Sequence, residues 1–314
     1  MRSSLHKLVK NIICRSKVIK TTELPSENIN LKALLWLFLL TFIWGGNFVA
    51  TKIALNDMPP FMLAGVRFAI GALVIALWGV ISKADLKPHR KEIIPLVIMS
   101  ILFSAQICTF NLGIKYTLAG RSSIFMSINP IFVAILAHFF IPNDRLNIKK
   151  ILGLILAFCG MLVVFRDKIG INDSRIIGDV ILIVSALIVS IMTIYTKKLV
   201  QRINTYKLLL WQMVLGLIPF FVLSFTFEEL SQNNITLSLV ISIFYQSVII
   251  AGFSFILWTL LLKRYSASKL SVFIFIMPIF GVGLSALMLH DQVTAYIVIG
   301  TILVTSGIYL VNKG

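Results

Sequence analysis

The sequence predicts an all-α integral membrane protein whose ten transmembrane helices form two inverted repeats of five. Three observations predict it. The 314 residues are 58% hydrophobic and only 13% charged, with a mean hydropathy of +0.96; a soluble domain carries about 25% charged residues. The charges fall between apolar runs of about 17 to 25 residues, the length that crosses roughly 30 Å of hydrocarbon at 1.5 Å per residue. One pattern also occurs twice: Tyr116, Pro130, Asp144, Gly153, Gly160, and then Tyr265, Pro278, Asp291, Gly300, Gly307. The runs are continuously apolar rather than alternating, which excludes a transmembrane barrel.

Residues 1–32 precede the first span and read as a basic cytoplasmic tail, with no 7–15-residue apolar core of a signal peptide. Such a tail suits the surface of anionic lipid; an over-extended start site would look the same. The first repeat occupies 33–166, with helices at about 33–54, 61–81, 93–114, 119–140 and 149–166. Its second helix begins at Pro59-Pro60, proline being favoured in a first turn. Its fourth carries Pro130 near the centre. The second repeat occupies 177–311, with helices at about 177–199, 206–227, 237–261, 268–289 and 294–311, and Pro278 lies near the centre of its fourth helix. An odd-numbered unit repeated in tandem enters the membrane from the opposite side the second time, so the halves are related by a pseudo-two-fold axis in the membrane plane. Weaker matches align Lys52 with Lys197, Arg67 with Gln212 and Gly71 with Gly216.

The net charge of +17 might point to nucleic acid, but the placement of the basic residues argues otherwise. With the N-terminus inside, the cytoplasmic segments hold 22 of the 29 Lys and Arg residues, and the outer loops hold five: Lys115, Arg121, Arg166, Lys168 and Arg175. That asymmetry is the positive-inside rule, and it places both termini in the cytoplasm. The charge sets orientation and implies no nucleic-acid partner. Cys14, Cys108 and Cys159 are widely separated. They form neither a disulfide framework nor a metal-ligand spacing, so neither metal nor other cofactor is expected.

Each proline removes a hydrogen bond and crowds the carbonyl four residues back, here Met126 and Ile274. In hydrocarbon a freed carbonyl faces protein or a wet cavity. The plain reading is a kink that improves packing; the functional one is a pliable hinge at Pro130 and Pro278. Polar side chains gather at similar depth: Asn47 beside Trp44, then Gln106 and Asn111, then Ser123, Ser127 and Asn129. Ser and Thr at such places usually bond their own helix or a neighbour. Asn47, Gln106 and Asn129 are costlier to bury and are candidates to line a cavity, with Trp44, Trp258 and Tyr245 as apolar walls bearing a polar edge. Arg67 lies roughly 10 Å inside its helix. Snorkelling to headgroups, pairing with Asp57, or meeting a substrate carboxylate would each relieve its burial. Lys52, at a helix end, reads as a snorkelling residue. No Asp, Glu or His sits mid-helix, so neither a proton relay nor a catalytic set is expected, and no catalytic residue is assigned.

The run Trp44-Gly-Gly-Asn47-Phe through Asn56-Asp57-Met58-Pro59-Pro60 to Arg67-Phe68 resembles the first EamA domain of the drug/metabolite transporter superfamily. So do Tyr116-Thr-Leu-Ala-Gly-Arg-Ser-Ser, the Asn129-Pro130 pair, and Arg264-Tyr265-Ser-Ala-Ser leading to Pro278. The likeness covers about 33–311. It implies ten helices, cytoplasmic termini, two EamA repeats and a central cavity open to alternate sides. Bacterial relatives export amino acids or cysteine-pathway metabolites across the inner membrane. Asp144 and Asp291 stand where the family commonly has Gly-Glu. The expectation is a secondary carrier that exports a small amphipathic metabolite, an amino acid or derivative, and is not an enzyme. Its expected cavity is lined by Trp44, Asn47, Gln106, Asn129 and Trp258, with Arg67 as carboxylate anchor. Uptake, another cargo of the same superfamily, and more distantly a membrane-embedded enzyme or a scaffold are the alternatives.

Overall fold

The computed structural model describes residues 29–164, 176–229, 235–280 and 295–314. Residues 1–28 with Cys14, the loop charges Arg166, Lys168 and Arg175, and His290 and Asp291 in the span expected at 268–289 and its following loop lie outside the described residues. The described residues are helical, without strands.

In chain order the helices are α1 (Leu31–Ala54), α2 (Pro60–Ile81), α3 (Ile93–Tyr116), α4 (Ala119–Met126), α5 (Asn129–Phe140) and α6 (Ile148–Val164). The second half holds α7 (Ile176–Leu199), α8 (Thr205–Phe227), α9 (Leu237–Phe244), α10 (Phe255–Arg264), α11 (Ala267–Ser271) and α12 (Ala295–Lys313). A π-helical stretch, Tyr245–Ser254, joins α9 to α10, and a 3-10 stretch, Val272–Ile276, follows α11. Seven helical segments are long and apolar enough to cross a bilayer: α1, α2, α3, Arg121–Phe140, α7, α8 and Leu237–Arg264. The shorter segments α6, Ala267–Phe280 and α12 fall where three further spans were expected. This is a multi-pass membrane protein. Its outward faces are apolar, as at Leu73, Phe139 and Phe225, while Arg67, Asn111, Asn129, Gln212 and Gln246 are buried. That inside-out pattern is what hydrocarbon as solvent demands.

Local sequence explains the ends and breaks. Asn30 accepts the Ala33 N–H and opens α1, Asn204 does the same for Tyr206 in α8, and Pro60 is the first residue of α2. The two expected prolines interrupt their helices in related ways. Before Pro130 the chain tightens at Ser127–Ile128, where the Ile128 N–H donates to Phe125 at 3.2 Å. Before Pro278 it tightens into the 3-10 stretch, and the Met277 N–H donates to the Ile274 carbonyl, the one that proline crowds.

Packing follows a two-fold exchange of the halves. α3 packs on α7 as the π stretch and α9 pack on α1; α3 packs on α8 as the π stretch packs on α2; α4 and α5 pack on α7 as the 3-10 stretch packs on α1. The self-paired contacts, α2 with α8 and α6 with α12, lie on the axis of that exchange. The repeated glycines make the last seam. A Cβ on Gly153 would lie 2.7 Å from the Gly307 carbonyl oxygen, and one on Gly160 would lie 2.8 Å from that of Gly300. Numbers rise along α6 as they fall along α12, so the two helices run antiparallel, backbone on backbone. Gly71 and Gly216, matched in sequence, likewise face Ala251 and Phe103 in exchanged interfaces.

Five apolar clusters are formed by the described residues, and the two largest flank the halves' junction. One joins α2, α3 and α8 through Phe68, Phe103 and Phe220, with ring centroids 4.7 to 6.0 Å apart. The other joins α1, α5, α6, α10, α11 and α12 through residues such as Leu40, Ala137, Ala157, Leu262, Leu270 and Val304.

Candidate functional site

A line of polar contacts joins the two repeats. Thr51, in the last turn of α1, donates to the Gln246 amide oxygen at 3.2 Å, and the Arg67 guanidinium donates to the same oxygen. Arg67 is 3% exposed, with its guanidinium carbon 4.6 Å from the Phe68 ring centroid. One residue earlier on the π stretch, the Tyr245 hydroxyl donates to the Ile43 carbonyl. Gly46 permits this approach, since a Cβ there would lie 2.8 Å from the Tyr245 oxygen. Trp44 and Trp258 meet edge to face, with centroids 5.1 Å apart.

Several atoms on or near this line are buried without a hydrogen-bond partner: Trp44 Nε1, Asn47 Oδ1, Arg67 Nε, Gln246 Nε2 and Ser247 Oγ. A buried unmade hydrogen bond costs about 1–3 kcal/mol, so each of these atoms calls for a partner.

The expected cavity residues divide in two. Trp44, Asn47, Arg67 and Trp258 belong to this zone. Gln106 and Asn129 instead sit in helix seams: Gln106 Nε2 donates to Ser185 Oγ at 3.2 Å, and Asn129 Nδ2 donates to Ser190 Oγ at 2.7 Å. Both hydroxyls return a bond to the backbone carbonyl of the same partner. These amides hold α3 and α5 to α7. Asn111 is similar, donating to the Pro60 carbonyl at 2.8 Å.

Two charge expectations change. Arg67 neither snorkels nor pairs with Asp57, because it is buried on Gln246 while Asp57 accepts from Thr236. Lys52 does not snorkel either: its ammonium donates to the Ile114 and Thr117 carbonyls at 2.8 and 2.7 Å, at the end of α3. Its repeat mate Lys197 donates to the Leu262 and Tyr265 carbonyls, both at 2.7 Å, at the end of α10. A cation on the last carbonyls of a helix satisfies orphan acceptors and complements the dipole.

Gln246 is the residue that sequence reading missed. It meets the criterion used for Gln106, an amide mid-run in apolar sequence. The π geometry around it, where the Phe255 N–H reaches back to the Ile250 carbonyl, has no counterpart in α3, the matching helix of the first repeat. Such stretches commonly mark functional places.

Charged clusters close the two ends. At one end Asp144 pairs with Lys150 Nζ at 3.0 Å and also accepts from the Ser268 N–H at the start of α11 and from the Ser268 hydroxyl. Burial pushes the Asp144 carboxyl up, but the Lys150 charge and the Ser268 bonds outweigh it and hold the group below its ordinary value. At the same end Lys207 Nζ reaches Asp85 at 2.8 Å and Glu92 at 3.1 Å. The hydrogen bond from Lys207 holds the Asp85 carboxyl below its usual value. At the opposite end Glu228 accepts the N–H groups of Phe61 and Met62, capping α2 from the end of α8, and Arg121 pairs with Asp179.

Residues 31–166 and 176–313 each match the EamA-like transporter family. The chain is 28% identical over 281 residues to an uncharacterized transporter, YoaV, of Bacillus subtilis, covering 89% of this chain and 96% of that one. It is 27% identical to a probable amino-acid metabolite efflux pump of Escherichia coli, covering 87% of this chain and 92% of that one. A pump of the same description from Salmonella typhimurium is 26% identical. A solved crystal structure superposes with a TM-score of 0.74 at 17% identity, covering 89% of this chain and 97% of its own; at that identity the likeness is one of fold.

Proposed function

We propose, for a chain that belongs to the EamA-like transporter family of the drug/metabolite transporter superfamily, that it works as a secondary carrier exporting an amino acid or related small metabolite across the inner membrane. Ten spans in two inverted halves, with both termini in the cytoplasm, would rock about a midplane site and expose it to each side in turn. The observation that carries this reading is the polar zone itself: Arg67 and Gln246 are buried, and with them the half-buried Trp44 and Asn47 carry buried polar atoms whose hydrogen-bonding capacity is unspent. The exchange symmetry of the helix packing supports it, because inverted halves are the architecture in which alternating access is built. The relatives described as amino-acid metabolite efflux pumps support the direction and the cargo. Trp44, Asn47, Arg67 and Trp258 are the proposed walls, and Gln106 and Asn129 set the position of α7 against them. The breaks before Pro130 and Pro278 are the proposed hinges, since their short-range bonds are easier to rearrange than a continuous α ladder.

The test is labelled amino-acid flux in sealed vesicles containing this protein alone. Flux is expected, and Asn47→Leu is expected to cut it roughly tenfold while leaving the protein in the membrane. Asn129→Leu is expected to lower both flux and stability, because it also breaks the tie to Ser190. Full flux in both variants would remove the site, and no flux for any amino acid would remove the carrier of amino acids.

A further inference from the structure

Arg67 is a buried cation whose partner is a neutral amide. Among the described residues its guanidinium donates to Gln246 and lies over Phe68, and its Nε has no partner. Three acids described toward that end of the bundle have other partners: Asp57 accepts from Thr236, Glu228 from the start of α2, and Asp179 from Arg121 and Thr117. Gln246 Oε1 takes donors from both Arg67 and Thr51, while its own Nε2 and the Ser247 hydroxyl beside it are buried and unpaired. Gln246 is 1% exposed and Ser247 is fully buried. One neutral oxygen thus stands where two oxygens and a full negative charge would answer the fork of a guanidinium.

We propose that Gln246 is a placeholder, and that Arg67, Thr51 and the freed Gln246 amide form the anchor for the carboxylate of the cargo. The inference rests on the carrier reading for its cargo and deepens it by naming the class: a small monocarboxylate with an amphipathic remainder. When the carboxylate arrives, Arg67 exchanges a neutral acceptor for a charged one. The Gln246 side chain then turns so that Nε2, which lacks an acceptor in the present arrangement, donates to the same ligand. The remainder of the cargo lies along α1 toward Trp44 and Trp258, where Asn47 Oδ1 offers an unused acceptor to an amino group. The π stretch matters because Gln246 lies within it and such turns frequently lie at functional sites. A single cation suits a monocarboxylate better than a phosphate dianion.

The experiment combines ligand-induced melting shifts with vesicle flux. The probes are L-leucine, L-methionine and L-phenylalanine, each beside its own carboxamide, which keeps the size and the amine but removes the anion. On the wild-type protein the acids are expected to raise the melting temperature, and the amides to need tenfold or more higher concentration for the same shift. Gln246→Glu supplies a resident carboxylate. It is expected to raise the melting temperature without ligand and to abolish both the response to the acids and their flux. Arg67→Gln is expected to lose the response as well; should that variant fail to fold, Gln246→Glu still decides. Acids and amides acting alike, Gln246→Glu responding as the wild type does, or a wild type unmoved by every acid would each overturn the anchor. An acid-specific shift without flux would leave the anchor standing and remove the carrier. Flux that treats acids and amides alike would do the reverse.

Discussion

Alanine at Gly307 places a Cβ 2.5 Å from the Gly153 carbonyl oxygen, 2.6 Å from the Ala157 nitrogen and 2.7 Å from the Ala157 Cβ. An ordinary carbon–oxygen approach is roughly 3.3 Å, so α6 and α12 must part by about 0.8 Å. No rotamer relieves this, because two of the three neighbours are backbone and the third is a Cβ. A gap of that size forfeits a quarter to a half of the dispersion energy of each contact along the seam, and overpacked sites typically cost about 1–3 kcal/mol. Taking about 2 kcal/mol, the folded-to-unfolded ratio falls roughly thirtyfold. Gly153→Ala enters the same contact from the other helix and should cost a similar amount. Gly79→Ala is the control: the three atoms nearest its Cβ would all belong to the Leu86 side chain, which can rotate away, and the cost should stay within about 0.5 kcal/mol. Thermal unfolding of the purified protein in detergent, followed by loss of the monodisperse species on size exclusion, reads the difference. If Gly307→Ala and Gly153→Ala melt with Gly79→Ala, the backbone seam does not hold these helices together.

Two further outcomes follow from the charged ends. Lys52→Met and Lys197→Met each orphan carbonyls at a helix C-terminus and should destabilise by about 1–3 kcal/mol apiece, with the arginine variants partly restored; equal stability in either methionine variant, measured by the same unfolding assay, would break the repeat correspondence. Asp144 has a folded-state pKa below its unfolded value. Its contribution is therefore fully present above the unfolded value of about 3.9 and is lost as pH falls from there through the lower folded value. Asp144→Asn should cost about 1.5–3 kcal/mol at neutral pH and flatten that acid limb, as a pH series of melting curves would show.

Much of this protein is legible in one dimension because hydropathy and proline act locally. A run such as 206–227 is long and apolar whatever it packs against, and Pro130 and Pro278 deny a hydrogen bond wherever they lie. The matched glycines were visible too, but that Gly153 meets Gly307 and Gly160 meets Gly300 depends on two helices lying antiparallel. Polar side chains show the limit most clearly. Asn47, Gln106 and Asn129 look alike in sequence, each an amide in an apolar run. Two of them turned out to hold α7 in place, because Ser185 and Ser190 stand opposite them.

By itself the sequence determined that the chain lives in a bilayer, that it is built twice from one unit, and where each unit is broken. Tertiary structure alone decided which buried groups are spent and which are not. It turned Lys52 and Lys197 into matching helix caps, brought Gln246 on its π-helical turn to Arg67, and left that cation facing an amide. The reason is that a span is defined by its own residues, whereas a partner is defined by the register of another helix, which no local pattern records.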